Sequence, residues 1–296
     1  MLRSATAARA AYAPARDIPL PRDVPRNVVH RSGFFVGTDG TVLFERHWEP
    51  HAEPLADIIL VHGLYDHCSR YSRMASRLVD QRFAVHSYDL RGHAHSEGVR
   101  GDFRLAEHCA DLETYVQRLR RRRRTKRLFL VGNAIGGLIA LAYVMSVPTL
   151  AIDSMAVIAP APRVERALPL RARLASLLRS DACVVEPDFK AGCKDPLIHP
   201  AGITRGAAAE IAVSWQFVLE GAPTLRVPLF LLQGTLDRMT DPREALALYA
   251  RVRSHDKRMR MYPGLAHDLL RQPARERIVH ELSAWFEERM VIRCAG

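Results

Sequence analysis

One stretch constrains the fold of this chain more than any other. Residues 127–141 read RLFLVGNAIGGLIAL, an apolar segment that passes through a glycine-rich turn into a second apolar segment. This pattern predicts a buried strand followed at once by a helix. The turn GNAIG at 132–136 has the frame of the G-x-S-x-G nucleophile elbow, whose central residue is strained and exposed above a sheet. Here the central residue is Ala134, and a methyl group cannot attack a carbonyl carbon, so we expect the covalent step to be missing.

Short apolar strands alternate with amphipathic helices on both sides of this elbow. Besides the elbow strand, strands are predicted at 28–36, 41–48, 56–61, 83–88, 152–159, 228–233 and 258–262. Besides the elbow helix, helices are predicted at 70–81, 105–122, 242–252 and 274–290. Such alternation is typical of a mostly parallel sheet with helices on both faces. The predicted fold class is therefore α/β, with a doubly covered sheet.

The alternation stops between residues 160 and 227, which divides the chain into regions. A segment of that length between two core strands is too long for a plain loop, so we expect helices at its apolar clusters, 168–178 and 211–219. We interpret 160–227 as a cap over the carboxyl edge of the sheet, where open α/β sheets bind ligands. The core then comprises 28–159 and 228–296. Residues 1–27, with four prolines and many arginines, are predicted to be a disordered or extended basic tail.

Charge and cysteine content narrow the partners and the compartment. The net charge is +11, with its sharpest run at Arg120–Arg124, where a helix should end. Cations favour a helix C-terminus, so we interpret the run as a solvated last turn; a peripheral membrane contact stays open, and nucleic acid is not expected. The five cysteines include no C-x-x-C pair and fit a cytoplasmic location. No apolar run of about 18 residues suggests a transmembrane helix.

Two later loops supply the partners that a nucleophile needs. Asp237 follows the predicted strand at 228–233, and His267 follows the one at 258–262. In this kind of site the nucleophile, the acid and the histidine come in that order along the chain, each after a different strand. An acid in this place orients the histidine, and the histidine acts as the general base. We therefore predict that Asp237 and His267 form a catalytic pair.

The oxyanion of an acyl-transfer reaction needs backbone N–H donors. One comes from the residue after the nucleophile, here Ile135, and another from a loop after an early strand. The predicted second donor is Leu64, because His62-Gly63-Leu64 follows the strand at 56–61. Tyr65, the next residue, is a candidate for a phenolic contact with substrate.

Two other patterns imitate functional motifs. Residues 94–98, AHSEG, nearly match the serine motif, but no strand directly precedes them, so Ser96 is not expected to be the nucleophile. The histidines at 62, 67, 93 and 95 lack H-E-x-x-H or comparable spacing. We predict neither a metal site nor a cofactor.

With these residues in place, the chain resembles the monoacylglycerol lipase and lysophospholipase branch of the α/β-hydrolases from about residue 31 to 290. The resemblance is carried by VHGLYDHCSRY at 61–71, DLRGHAHSEG at 89–98, the elbow, DPLI at 195–198, LQGTLD at 232–237 and YPGLAH at 262–267. It implies an α/β-hydrolase fold with an eight-stranded type of sheet, and hydrolysis of an apolar acyl ester of a small molecule. It also places the nucleophile at Ala134, the acid at Asp237 and the base at His267.

The departures from that branch concern the elbow and the oxyanion loop. That branch usually has His-Ser-Met at the elbow, whereas this chain has Asn133-Ala134-Ile135. Asn133 is a candidate substrate contact, since its amide can still supply a hydrogen bond. Tyr65 is bulkier than the usual small residue, which implies a narrower mouth of the pocket.

Three hypotheses follow from this sequence. The first is a serine-type carboxylic-ester hydrolase, monoacylglycerol lipase-like, present here as an inactive serine-to-alanine form. The second is a natural pseudo-hydrolase that binds a ligand or partner. The third is an acyltransferase, or a thioesterase or cyclase, that uses the same triad with an acyl ester or thioester. Sequence cannot separate the third from the first, because the pocket decides which acceptor reacts.

Overall fold

The computed structural model describes residues 28–122, 125, 127–147, 152–162, 183–184, 195–198 and 203–291. The predicted tail, the predicted helix at 168–178 and residues 123–124 of the arginine run lie outside the described residues. Most of the predicted cap before residue 203 lies outside them as well.

The described strands form an eight-stranded sheet and a small two-stranded ribbon. The sheet strands are β1 (Val28–Val36), β2 (Val42–Pro50), β3 (Ala56–Val61), β4 (Phe83–Tyr88), β5 (Leu128–Asn133), β6 (Ser154–Ile158), β9 (Leu229–Gly234) and β10 (Lys257–Tyr262). The ribbon pairs β7 (Cys183–Val184) with β8 (Ile203–Thr204). The order in the sheet is β1-β2-β4-β3-β5-β6-β9-β10, and only the β1–β2 and β2–β4 pairs are antiparallel. The predicted mostly parallel, eight-stranded type of sheet is confirmed.

Helices cover both faces of this sheet in the described part of the chain. They are α1 (Ser72–Asp80), α2 (Leu105–Arg122), α3 (Ile135–Ser146), α4 (Arg205–Gly221), α5 (Pro242–Arg251) and α6 (Arg275–Val291). Buried side chains of α1 and α6 pack in one apolar cluster, and those of α2, α3, α4 and α5 pack in another. The central strands are buried along their whole length, because each lies between these two clusters. None of the described helices is long and apolar enough to cross a membrane.

The parallel strands set the position of the functional loops. Ala134, at the end of β5, donates its N–H to the carbonyl of Ile158 in β6 at 2.8 Å. The N–H of Ala159 donates to Leu232 of β9 at 2.8 Å, and the N–H of Thr235 donates to Tyr262 of β10 at 3.1 Å. These bonds align the carboxyl ends of four neighbouring strands at one edge of the sheet, the edge from which the elbow and the Asp237 and His267 loops emerge.

Part of the segment predicted as a cap packs as a core helix. Helix α4 buries Ile211, Trp215 and Val218 in the same cluster as α3. The indole N–H of Trp215 donates to Glu244 of α5 at 3.1 Å. The apolar cluster predicted at 211–219 is thus a helix, as expected, and its apolar side is packed against the core. The boundary of the cap at residues 160–227 stays a prediction.

Candidate active site

Ala134 has the backbone of a nucleophile elbow. It lies between the last residue of β5 and the first of α3, with φ +49° and ψ −117°. A non-glycine residue in such a sparsely populated region stores roughly 1–3 kcal/mol of strain. The strain persists because the Ala134 N–H is bound to β6 while its carbonyl accepts from Gly137 at 2.8 Å and Leu138 at 3.2 Å. The turn is therefore fixed from both sides, whatever side chain it carries.

Glycines at the elbow permit a close approach of backbones that a Cβ atom would prevent. A Cβ on Gly132 would lie 2.5 Å from the carbonyl oxygen of Gly136. A Cβ on Gly136 would lie 2.2 Å from the carbonyl oxygen of Val61 and 2.5 Å from that of His62. These are backbone atoms of β3 and its loop, which cannot give way without moving the sheet. Glycine at 132 and 136 thus allows α3 to start against the end of β3.

Gly136→Ala is expected to lower the free energy of unfolding by about 3 kcal/mol, because overpacking a rigid site forces backbone shifts. Urea unfolding followed by circular dichroism measures this. Gly206→Ala is the matched control, since its Cβ would have only Thr204 Oγ1 at 3.7 Å and lies in α4. That change should be neutral or stabilising, as alanine is the better helix former. Equal losses in the two variants would contradict the close approach at the elbow.

Ala134→Gly is expected to raise the free energy of unfolding by about 0.5–1 kcal/mol, because glycine relieves the positive φ at a smaller entropic penalty. The same urea experiment measures it. Ala140→Gly, in the middle of α3, is the control and should lose stability by about 1 kcal/mol or more. A loss at position 134 as large as that at position 140 would mean that the turn is not strained.

Asp237 and His267 lie side by side, as predicted. The Nδ1 atom of His267 is 2.9 Å from Oδ2 of Asp237. The same carboxylate accepts N–H bonds from Met239 at 2.9 Å and from Thr240 at 2.8 Å, and Gln233 Nε2 donates to it at 3.0 Å. The Thr240 hydroxyl donates to Oδ2 as well. The carboxylate is thus surrounded by donors, an arrangement that fixes its position and its ionised form.

These contacts decide the charge of Asp237. Burial acts to raise the pKa of its carboxyl, but the hydrogen bond and charge of His267 and the hydrogen bonds from Thr240 outweigh burial, so the pKa lies below its usual range. An ionised carboxylate on Nδ1 requires the proton of a neutral His267 to be on Nδ1. Nε2 is then unprotonated, which is the form that can accept a proton as a general base.

The predicted oxyanion loop comprises residues 62–67, and His62 holds it in a defined shape. Its Nε2 accepts the N–H of Leu90 at 2.9 Å, so its Nδ1 carries the proton and donates to the carbonyl of Gly63 at 2.7 Å. Burial, together with nearby His93, lowers the pKa of His62 well below its ordinary value, so the ring stays neutral. The loop that carries Leu64 is thereby tied to the end of β4.

Both predicted oxyanion donors lie next to the elbow. A Cβ on Gly63 would be 3.4 Å from the Ala134 methyl carbon, which places the Leu64 loop against the turn. Ile135 is the first residue of α3, where an N–H has no acceptor within its own helix. The roles of Leu64 and Ile135 as oxyanion donors stay predictions.

A small cavity of about 20 Å³ lies beside the predicted oxyanion loop. Its lining includes Leu64 and Tyr65 from that loop, and Leu197, Ile198 and Ile203 from the predicted cap region. Tyr65 adopts φ +56°, a conformation rare for a residue other than glycine. Its contact with substrate stays a prediction. Ala134, Asp237 and His267 are not among the lining residues, so the cavity does not contain the predicted catalytic pair.

Asn133 contacts protein. Its Nδ2 donates to the hydroxyl of Tyr71 at 2.8 Å, and its side chain is buried. The sequence did not identify this pairing, because Tyr71 lies 62 positions away in the chain. The predicted contact between Asn133 and substrate stays a prediction, for which the carbonyl oxygen of its side chain is the available atom.

The AHSEG sequence at 94–98, which nearly matches the serine motif, has a structural role. Ser96 is buried, its hydroxyl donates to the carbonyl of Asp89 at 2.5 Å, and it accepts the N–H of Phe44 at 2.9 Å. Both of its hydrogen-bonding directions are used to hold the loop against β2. In the described residues, no group of three or more His, Cys, Asp or Glu side chains is placed to hold a metal ion.

Sequence reasoning also missed the core-to-cap contact at the oxyanion loop. Nε2 of His67 is 2.9 Å from Oδ2 of Asp195, the first residue of the DPLI motif. His67 is buried while Asp195 is partly exposed. This pair attaches the described fragment 195–198, which lines the cavity, to the loop that carries Leu64.

Comparisons with known proteins show which family and which proteins this chain is similar to. The Hydrolase_4 family, whose description is "Serine aminopeptidase, S33", matches residues 52–274. The chain is 30% identical to the monoglyceride lipase of Mus musculus over 297 aligned positions, covering 93% of this chain and 97% of that protein. It is 27% identical to the monoacylglycerol lipase of Mycolicibacterium smegmatis, covering 85% and 95%. The crystal structure of Paleococcus ferrophilus monoacylglycerol lipase superposes with a TM-score of 0.68 at 22% identity, covering 88% of this chain and 99% of that one.

Proposed function

The chain belongs to the Hydrolase_4 family and is a monoacylglycerol lipase-like α/β-hydrolase, and from that premise we propose a specific role for its site. The site is that of a serine-type carboxylic-ester hydrolase for an apolar acyl ester. Residue 134 holds the nucleophile position, Asp237 is the acid and His267 is the base. With alanine at position 134, the chain binds its acyl ligand but does not form an acyl-enzyme.

The observation that carries this proposal is the pair of Asp237 and His267 at the same sheet edge as a strained turn with alanine at its centre. The Nδ1 to Oδ2 distance of 2.9 Å and the donors around the carboxylate are those of a working base and its orienting acid. Ala134 has the strained backbone that the nucleophile position of an elbow requires. Both features support a chain in which alanine has replaced a serine.

With serine at position 134, the reaction would proceed by the steps of a serine–histidine–aspartate triad. The hydroxyl oxygen attacks the acyl carbonyl carbon while Nε2 of His267 takes its proton, and Asp237 stabilises the imidazolium. The N–H groups of Leu64 and Ile135 hold the oxyanion. The imidazolium gives the proton to the leaving alcohol, and the acyl group stays bound to the serine. Water, which gives its proton to His267, then attacks this acyl-enzyme and releases the carboxylic acid. The residues of the predicted cap that lie at the small cavity beside Leu64 are Leu197, Ile198 and Ile203, and their apolar side chains support an apolar part of the substrate there.

The alanine itself favours a second candidate, a natural pseudo-hydrolase that binds an acyl ligand. This candidate uses the same pocket and predicts binding with no turnover in the natural protein. The natural coding sequence at position 134 separates the two: a serine codon there favours the hydrolase, and an alanine codon favours the binding protein.

The substrate class is tested by product analysis with the Ala134→Ser protein. Monoacylglycerols and an acyl thioester are supplied in water, and again with an added alcohol or amine acceptor. The proposal predicts free fatty acid and glycerol as the main products in both conditions. Transfer of the acyl group to the added acceptor as the main reaction would instead assign an acyltransferase. Release only from the thioester would assign a thioesterase.

A further inference from the structure

The hydroxyl of Tyr71 joins the two backbone segments that bear the predicted oxyanion donors. It accepts the Nδ2 hydrogen of Asn133 at 2.8 Å and, over a longer 3.4 Å, the N–H of Gly63. Gly63 directly precedes Leu64, and Asn133 lies two residues before Ile135. Tyr71 is buried, so these bonds do not compete with bulk water.

Asp66 fixes the orientation of that hydroxyl. The Tyr71 proton points to Oδ2 of Asp66 at 2.8 Å, which leaves both lone pairs of the phenol for Gly63 and Asn133. Burial, and after it the charge of Asp66, raises the pKa of Tyr71 well above its ordinary value, so the phenol stays protonated and keeps donating. One hydroxyl therefore makes three directed contacts, the full capacity of such a group.

Arg271 extends this network to the histidine loop. Its Nη2 lies 3.0 and 3.1 Å from the two oxygens of Asp66. Its Nη1 lies 3.1 Å from Oδ2 of Asp268, the residue after His267. A second cation, Arg70, lies 3.3 Å from Asp66. The buried carboxylate is thus paired, and the guanidinium of Arg271 bridges the oxyanion loop and the loop of the predicted base.

We propose that Tyr71, oriented by Asp66 and Arg271, is a positioning residue that sets the spacing between the Leu64 and Ile135 N–H donors and keeps both in register with His267. The proposal rests on the proposed function for its kinetic consequence. The side chains of Tyr71 and Arg271 join three segments that are far apart in sequence, at 62–67, 133–135 and 267–271. A tyrosine with only a packing role needs no such set of partners.

The test uses Tyr71→Phe in the Ala134→Ser protein, because this change keeps the ring and removes only the hydroxyl. We expect kcat for a monoacylglycerol to fall about tenfold to a hundredfold with KM little changed, since misplaced oxyanion donors weaken only the transition state. Tyr115→Phe is the matched control. Tyr115 is also fully buried, and its hydroxyl donates to the carbonyl of Ser87 at 3.2 Å, away from the elbow. Its loss should reduce stability and leave kcat unchanged.

A second readout does not depend on turnover. Hydrogen–deuterium exchange in the unaltered Ala134 background should become faster in peptides that cover 62–67 and 133–137 when Tyr71 is changed to Phe, and not when Tyr115 is. Arg271→Gln, which leaves the buried tyrosine in place, should produce the same local pattern to a smaller degree. Unchanged exchange in both segments, or an equal kcat loss for Tyr115→Phe, overturns the proposal. If Ala134→Ser shows no hydrolysis, the proposed function fails, and exchange alone decides the positioning role.

Discussion

Ala134→Ser is expected to convert a chain with no measurable acyl-enzyme chemistry into an esterase, raising kcat/KM for an activated ester by at least about a thousandfold. Members of a triad act as a unit, and loss of the nucleophile in a serine protease lowers kcat by about a millionfold. Restoration should recover a large part of such a factor here, because the Asp237–His267 pair and the backbone of the elbow are in place. His267 is within 2.9 Å of Asp237, and the turn at 134 already has the strained backbone of an elbow. Initial rates and a pre-steady-state burst with a p-nitrophenyl ester measure the gain.

Ala94→Ser is a control matched to Ala134→Ser in several respects. Ala94 also has a positive φ, of +38°, and both alanines are 9% exposed. It lies in the motif at 94–98 that imitates the elbow, but no catalytic pair adjoins it. A new serine there should give no burst and no rate increase. A gain at position 94 equal to the gain at position 134 would show that the assay reports a general effect of an added hydroxyl.

Asp237→Asn in the Ala134→Ser protein is expected to lower kcat by about 10³- to 10⁴-fold, because an amide does not hold the histidine in the tautomer that accepts the proton. The structure adds a second effect. Both oxygens of Asp237 accept hydrogen bonds, from the N–H groups of Met239 and Thr240 on one and from Gln233 and His267 on the other. An asparagine would direct an NH₂ group at donors, so we also expect a loss of about 1–3 kcal/mol in the free energy of unfolding.

Asp241→Asn provides the comparison for that change. Asp241 caps α5 by accepting the N–H of Arg243 at 2.9 Å, and asparagine is an equally good N-cap. Stability should stay within a few tenths of a kcal/mol, and kcat should not change. Equal effects at 237 and 241 on both quantities would mean that Asp237 is an ordinary loop acid and that the predicted triad is wrong.

The sequence predicted the elements and the order of the site well, since both depend on local patterns. Predicted strands at 28–36, 56–61 and 83–88 and the helix at 105–122 have the observed bounds, and the other core elements predicted with bounds shift by one or two residues at their ends. The helix predicted at 211–219 begins six residues earlier, at Arg205. Asp237 and His267 could be identified because each directly follows a strand. In a parallel sheet, that position alone brings distant residues to the same edge.

What the sequence could not predict depends on contacts between distant residues. The bond from Arg271 to Asp66 joins residues 205 positions apart, and no local period or motif signals it. Gln233 was counted only as the last residue of an apolar strand, and its side chain proved to support Asp237. A polar residue at the end of an otherwise apolar, buried strand was the signal in the sequence that could have identified this support. A helix pattern likewise does not reveal which surface its apolar side will meet, and the apolar side of α4 packs against the core.

The central claim is that residue 134 holds the nucleophile position of a complete site, and fluorophosphonate labelling of the Ala134→Ser protein tests it most directly. A fluorophosphonate reacts only with a serine whose proton a nearby base removes. Intact-mass analysis followed by peptide mapping should show one adduct, on residue 134. The adduct should be absent from the unaltered chain and lost when His267 is changed to Gln. No adduct in the serine form, or an adduct on Ser96 or any other serine, would contradict the account.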